Sequence, residues 1–345
     1  MTISILALPD ELLLPIALDI NVRDLHNLLR THRRFGAVGQ EGLVYKASTS
    51  TRQIFRLIQT LNTSASLAKR MTHLRSAPLT NSVRATMKQF SSTHRDSMTG
   101  DAYTVACELV EKTALGPENI AWKQSIREMG DVYGVGLSLL IAQASSLQSL
   151  TLGMDMLAVV PLVEQVFCRN SAAPVASWAE QVQTVLSDRL ECLTVYCDAD
   201  NCKKGLLVKP ITFTGFACLR ELSLASELLG RLDESSGYQL PESLRLLRVT
   251  NTILGGDSMY YLSDVFKGFT QRGNQLCVVE VHFDYTLWPA ARLFNIIRPE
   301  ITNLLDRWSK HPTIDFRTTF GDRTLVATDR TQRAKDLQMS AQGIL

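Results

Sequence analysis

Two rhythms of apolar positions divide the chain. From Leu8 to Tyr45 the large aliphatics return every three or four residues, the period of a helix with one buried face. From residue 103 onward, short phrases of the form L-x-x-L-x-L, whose last two apolar residues are spaced as in a strand, alternate with segments of helical period. In the first stretch Leu8, Leu12 and Ile16 share one face of a predicted helix. Pro9 suits its first helical position, and Asp10 and Glu11 complement the positive end of its dipole. Asn21 is a candidate N-cap for a second helix carrying Leu25, Leu28 and Leu29, with Asp24 in its first turn. Arg30, Arg33 and Arg34 are predicted to crowd its C-terminal end, before a shorter third helix holding Leu43, Val44 and Tyr45.

About 40 residues cannot bury this many aliphatics alone, so some are expected to dock on another surface. The order Leu8-Pro9-Asp10-Glu11-Leu12-Leu13, Ile16, Asp24-Leu25, Leu28, Arg33-Arg34-Phe35, Val38 and Leu43-Val44-Tyr45 resembles the F-box, with ungapped spacing. That resemblance implies a three-helix unit binding the Skp adaptor of a cullin-RING ubiquitin ligase. Leu8, Pro9, Leu12, Ile16, Leu25 and Leu28 would then be its adaptor-facing or motif-core positions. The sequence departs from the pattern at Ile20, where Leu is common, at Thr31, where Val is common, and at Pro15, which predicts a kink or restart of the first helix.

Residues 47–75 read as a continuing helix that links this unit to the rest. Residues 76–102 are rich in Ser and Thr, lack apolar periodicity, and read as a flexible basic insertion. Residues 47–100 hold eight Lys or Arg against one acid, Asp96, but little aromatic interleaving beyond Phe90. A solvated loop accounts for this better than a nucleic-acid site.

The strand-like phrase occurs five times: Leu147/Leu150/Leu152, Leu190/Leu193/Val195, Leu219/Leu222/Leu224, Leu244/Leu247/Val249 and Leu276/Val279/Val281. Between and around these, helices are predicted over 103–115, 118–145, 156–168, 174–188, 258–271 and 290–308. Alternating strands and helices of this kind resemble an irregular leucine-rich-repeat solenoid, chiefly over 140–285 and by extension over 103–320, followed by a tail at 321–345. The phrase Leu240-Pro241-Glu242-Ser243-Leu244-Arg245-Leu246-Leu247 resembles one found in fungal F-box proteins with degenerate repeats. The expected fold class is therefore α/β and helix-rich, a three-helix F-box at 1–46 followed by the repeat region.

Strand alternation predicts an open face bearing Ser149, Thr151, Cys192, Thr194, Tyr196, Glu221, Ser223, Leu246, Arg248, Glu280, His282 and Asp284. Of these, Tyr196, Glu221, Arg248, Glu280 and His282 are the candidate target-binding residues, with Tyr196 and Arg248 the preferred anchors.

Composition narrows the function classes. With 45% hydrophobic residues and a formal charge of +2, the chain has material for a sizeable core and no strong global attraction to nucleic acid or membrane. Seven cysteines without a CxxC pair read as free thiols in a reducing compartment. No signal peptide or membrane-spanning run is recognisable, which points to the cytoplasm or nucleus.

No P-loop, G-x-S-x-G elbow or H-E-x-x-H pair occurs. Gly134-Val135-Gly136 lacks the third glycine of a dinucleotide fingerprint. Cys192, Cys197 and Cys202 lack a fourth ligand for a metal, and Asp198-Ala199-Asp200 fails as a calcium loop at Lys209. No catalytic residue, metal or cofactor is expected. The expected role is a non-catalytic target-recruiting subunit of an SCF-type ligase. An adaptor-binding scaffold without degradative role and a helix-rich enzyme with a site hidden from sequence are the alternatives.

Overall fold

The computed structural model describes residues 5–20, 22–49, 54–76, 100–113, 132–159, 177–196, 215–229, 240–252, 277–283, 315–320 and 323–326, with a few single positions between them. The fold is α/β, its described strands parallel except for the last pairing. The chain divides into two compact units. One holds the described residues up to Leu152 together with 177–189, and the other holds 153–159, Phe167 and everything described from Leu190 onward.

The first unit opens with three helices, α1 (Asp10–Asp19), α2 (Val22–Leu29) and α3 (Arg33–Tyr45). Pro9 is the N-cap of α1 and not its first helical residue: its φ of −58° and ψ of 153° leave its carbonyl to accept the Leu12 and Leu13 amides at 3.0 and 3.1 Å. The expected restart at Pro15 does not occur, and α1 is one element through it. Pro15 forfeits one hydrogen bond, but Leu13 and Ala17 on either side are 2% and 3% exposed and hold the helix to the core.

Arg33 and Arg34 do not close α2. They open α3, which is longer than its apolar stripe suggested, because His32 caps it by accepting the Arg34 amide on Nδ1 at 3.1 Å. Thr31 instead finishes α2, its hydroxyl donating to the Leu28 carbonyl at 2.7 Å. Asn21 lies outside the described residues. Leu13, Ala17, Leu25, Phe35 and Val38 form the core of the three helices, with Leu8, Leu14, Ile20, Leu28 and Leu43 packed against it.

Residues 46–76 are not one helical linker. They form strand β1 (Lys46–Thr49), helices α4 (Ile54–Thr63) and α5 (Ala65–Ala68), and strand β2 (His73–Ser76), which pairs in parallel with β1 and with β3 (Ser149–Gly153). Ala47, Leu74 and Ser76 are the buried positions of these strands, with Val44 and Met71 buried just before them. Small or unbranched residues at repeat positions hide the phrase from a search for Leu and Val. Helix α6 (Gly100–Thr113) begins inside the stretch read as an insertion, and 77–99 lie outside the described residues. Helix α7 (Val132–Gln143) packs on α4, α6 and α9 (Ser177–Arg189).

The second unit contains α8 (Met154–Val159), β4 (Cys192–Tyr196), β5 (Glu221–Ala225), α10 (Ser226–Leu229), β6 (Leu246–Thr252), β7 (Val278–Phe283), β8 (Asp315–Phe320) and β9 (Arg323–Val326). Strands β4 to β8 pair in parallel in chain order, and β9 returns antiparallel on β8, inside the segment read as a tail. Each parallel pairing requires a crossover connection between its two strands. The helices expected at 258–271 and 290–308 lie outside the described residues. All five strand phrases read from the sequence are strands.

The phrases share a corner. Met71, Leu147, Leu219 and Leu244, each at most 1% exposed, donate their amides to a carbonyl three residues back, on Ala68, Ala144, Phe216 and Pro241. Just before β2, β4, β5 and β6 one carbonyl accepts two amides from the start of the next strand. Thr72 takes Gln148 and Ser149, Glu191 takes Arg220 and Glu221, Arg220 takes Arg245 and Leu246, and Arg245 takes Cys277 and Val278, all at 2.8–3.0 Å. In the second unit Phe167 stacks on Phe216, with ring centroids 5.8 Å apart.

Candidate functional site

Two surfaces carry the side chains that the sequence singled out. The first is the outer side of α1. Its inner side is spent on the helical core through Leu13 and Ala17, yet Leu12 is 53% exposed and Ile16, one turn later, 36%. Pro9 is exposed beside them, and Leu8 and Leu28 are half-buried. Leu25, at 3%, belongs to the core and presents little to a partner. The six residues thus separate into an exposed stripe of three, a half-buried rim of two and one core anchor. Arg34 binds Asp10 through Nε and Nη2 at 2.9 and 2.8 Å, tying the start of α3 to the start of α1. Both side chains are open to water, so this tie contributes less than about 1 kcal/mol.

The second surface is the open face of β4–β8. On β4–β7, Leu193, Val195, Leu222, Leu224, Leu247, Val249, Val279 and Val281 are at most 1% exposed and form the other side, while on β5 Ser223, between two of them, is buried as well at 7%. Pairing then sets the open-face residues in rows across the strands. One row runs Cys192, Glu221, Leu246, Val278, Asp315, and the next Thr194, Ser223, Arg248, Glu280, Arg317. Four of the five candidate residues, Glu221, Arg248, Glu280 and His282, fall on three adjacent strands, and Tyr196 ends the next strand over. Asp284 lies outside the described residues.

Glu280 is the hub. Its Oε2 accepts Arg248 Nε at 2.7 Å, its Oε1 lies 3.5 Å from Arg317 Nη1, and Arg317 also holds Asp315 through Nε at 3.0 Å. Burial opposes ionisation of Glu280, but the Arg248 hydrogen bond and charge, with help from His282 and Arg317, outweigh it and hold the carboxyl below its usual range. His282 is shifted down, by burial first and the Arg248 charge second, against the pull of Glu280. Its Nε2 stands 3.8 Å from Glu280 Oε2 and has no hydrogen-bond partner. Burial, then the charge of Glu221 opposite, push the Cys192 thiol up to about 11, which leaves it unreactive at neutral pH.

Arg317 and Asp315 were not among the candidates because 315–320 was not read as a strand. The alternation of charged and aromatic residues in Asp315-Phe316-Arg317 was the available signal.

Chemically, these surfaces offer apolar contact and ordered charge. Among the described residues no three His, Cys, Asp or Glu gather to hold a metal, and no helix is long and apolar enough to cross a membrane. No protein-family model matches the chain, and no curated protein matches it either.

Proposed function

We propose that the chain is a substrate-recruiting subunit of an SCF-type ubiquitin ligase, non-catalytic itself and working in the cytoplasm or nucleus. In this reading the three N-terminal helices are an F-box that grips the Skp adaptor, and the rows of open-face residues hold a target protein. The observation that carries it is α1, which is apolar on both sides although the core uses only one. Covering Leu12 and Ile16 would contribute about 1 kcal/mol each, given that each is already part-covered. The corner hydrogen bonds recurring at Met71, Leu147, Leu219 and Leu244 support the reading of the remainder as irregular leucine-rich repeats. Such a subunit accelerates ubiquitin transfer by proximity, raising the effective concentration of a target lysine.

Co-expression with a Skp adaptor tests this. The wild-type chain should co-elute with the adaptor on size exclusion, and the Leu12→Asp/Ile16→Asp double variant should elute alone with an unchanged melting profile. A wild-type chain that does not retain the adaptor refutes the reading. Ubiquitin transfer to a bound protein in a reconstituted ligase then distinguishes a receptor from a scaffold.

A further inference from the structure

The stretch from Leu25 to Gln40 contains Arg30, Arg33 and Arg34 and no acid. It covers the second half of α2, the corner at Thr31 and His32, and the first half of α3. Arg34 is answered within the chain by Asp10. Arg30 and Arg33 are both exposed, and among the described residues neither side chain has an ion pair or a hydrogen bond.

Arg33 also stands against the field of its own helix. It is the first residue of α3, where the dipole favours an anion, and that first turn holds no acid. Arg30 suits the end of α2 but adds its charge to the same corner, which Asp10 only partly offsets. The contact between Arg34 and Asp10 places the corner beside the first turn of α1, next to exposed Pro9 and about one turn from Leu12. On the α2 side the carbonyl of half-buried Leu28 accepts the Thr31 amide and hydroxyl at 3.0 and 2.7 Å. The apolar stripe of α1 therefore ends at two unanswered cations.

We infer that Arg30 and Arg33 are the charged rim of the α1 docking surface, and that the protein seated there carries carboxylates beside its apolar pocket. This rests on the reading of the stripe as the seat of the adaptor. Protein interfaces place apolar contact at the centre and polar groups at the edge. Rim charges in water act at a distance, so they speed encounter more than they prolong the complex. The charged residues of α1 itself, Asp10, Glu11 and Asp19, are all acidic and exposed. They confine the partner's carboxylates to the corner, away from the length of the stripe, and they would be repelled by an anionic membrane. Polynucleotide is a poorer fit still, because two cations give little phosphate attraction and aliphatic side chains offer bases no ring to stack on.

The test uses the full chain and immobilised Skp adaptor, read by biolayer interferometry from about 50 to 500 mM NaCl. The wild-type association rate should fall at least about tenfold over that range, with the dissociation rate within about twofold. Arg30→Gln/Arg33→Gln should associate at least about fivefold slower at the lowest salt and lose most of the salt dependence, with the melting profile retained. Arg30→Lys/Arg33→Lys, which keeps the charge, should stay within about twofold of wild type. Arg56→Gln/Lys112→Gln, which removes the same charge from exposed positions on α4 and α6, should bind like wild type. A wild-type chain that never binds refutes the adaptor reading and this inference with it. Binding that is insensitive to salt, unchanged in the Arg30/Arg33 glutamine variant, or slowed equally in the Arg56/Lys112 variant or the lysine variant overturns the inference alone. Co-sedimentation with phosphatidylserine vesicles that is lost in the Arg30/Arg33 glutamine variant also overturns it, assigning the corner to a membrane.

Discussion

Arg248 and Glu280 stand directly opposite each other on β6 and β7, 32 residues apart in sequence, and their side chains close a 2.7 Å hydrogen bond between Nε and Oε2. Arg317 approaches the other carboxylate oxygen from β8. The open face therefore carries a fixed Arg–Glu–Arg row whose centre is only 17% exposed, a pattern that no local reading of any one strand contains.

Glu280 should make stability depend on pH in acid. Its folded carboxyl titrates below the unfolded one, so its contribution is present above the unfolded value of about 4.3 and is lost as pH falls through the folded value. Glu280→Gln should cost about 1 kcal/mol at pH 7, the scale of a hydrogen bond to a charged group discounted for partial exposure. Urea unfolding across pH 3 to 7 should show the gap between wild type and variant closing toward pH 3. A gap of constant size would show that the row contributes nothing through its charge.

Leu12 and Leu13 are neighbours in sequence with opposite fates. Leu13→Ala opens a cavity at a position 2% exposed and should cost about 2–4 kcal/mol. Leu12→Ala, at 53% exposed, should change stability by less than about 0.5 kcal/mol. Chemical denaturation of the two variants checks this. Equal losses would mean that Leu12 is covered within the chain, which would remove the exposed stripe on which adaptor docking rests.

Two glycines of α3, Gly39 and Gly42, should respond differently to alanine. A Cβ at Gly42 would meet Ala17 Cβ and Leu25 Cδ2 at 3.5 Å, ordinary contact, so Gly42→Ala should stabilise by about 0.5–1 kcal/mol through helix propensity. A Cβ at Gly39 would run into the Leu29 side chain, so Gly39→Ala should lose that gain to repacking. Urea midpoints of the two variants decide between them.

What the sequence discloses here depends on residue type. The five strands written in Leu and Val are legible because their buried positions are large and aliphatic. Strands β1 and β2, which bury Ala47 and Ser76 and of which the second follows a corner at buried Met71, pass for helix, since Ala and Met favour helices and the intervening Ile54, Ile58 and Leu61 have helical spacing. The open-face residues are legible from alternation alone, and Arg248, Glu280 and His282 lie where it puts them. Their partners are not, because ion pairs across strands depend on a register between segments 25 to 40 residues apart. Arg33 and Arg34 mislead for a similar reason: as cations they suit the end of α2, but the cap on His32 and the tie to Asp10 assign them to the start of α3.

The two half-buried histidines should make the protein less stable as pH falls below neutral. His73 and His282 both bind protons less readily when folded, by burial first in each case, with Lys46 adding to the effect at His73 and Arg248 at His282. The unfolded chain, with histidine near its ordinary value of about 6.5, then holds more bound protons, so this contribution is present above that value and is lost as pH falls through it. Unfolding midpoints should decrease from pH 7.5 to 5.5, and His73→Gln and His282→Gln should each flatten part of that slope. Proton-detected titration of the imidazole carbons gives a second readout. Both rings should titrate below 6.5, and Lys46→Gln should raise the His73 value and leave His282 unmoved, because Lys46 is a cause of the shift at His73 only. A slope unchanged in both histidine variants would place the pH dependence on other groups, and a His73 value that ignores Lys46→Gln would show that the Lys46 charge does not reach the ring.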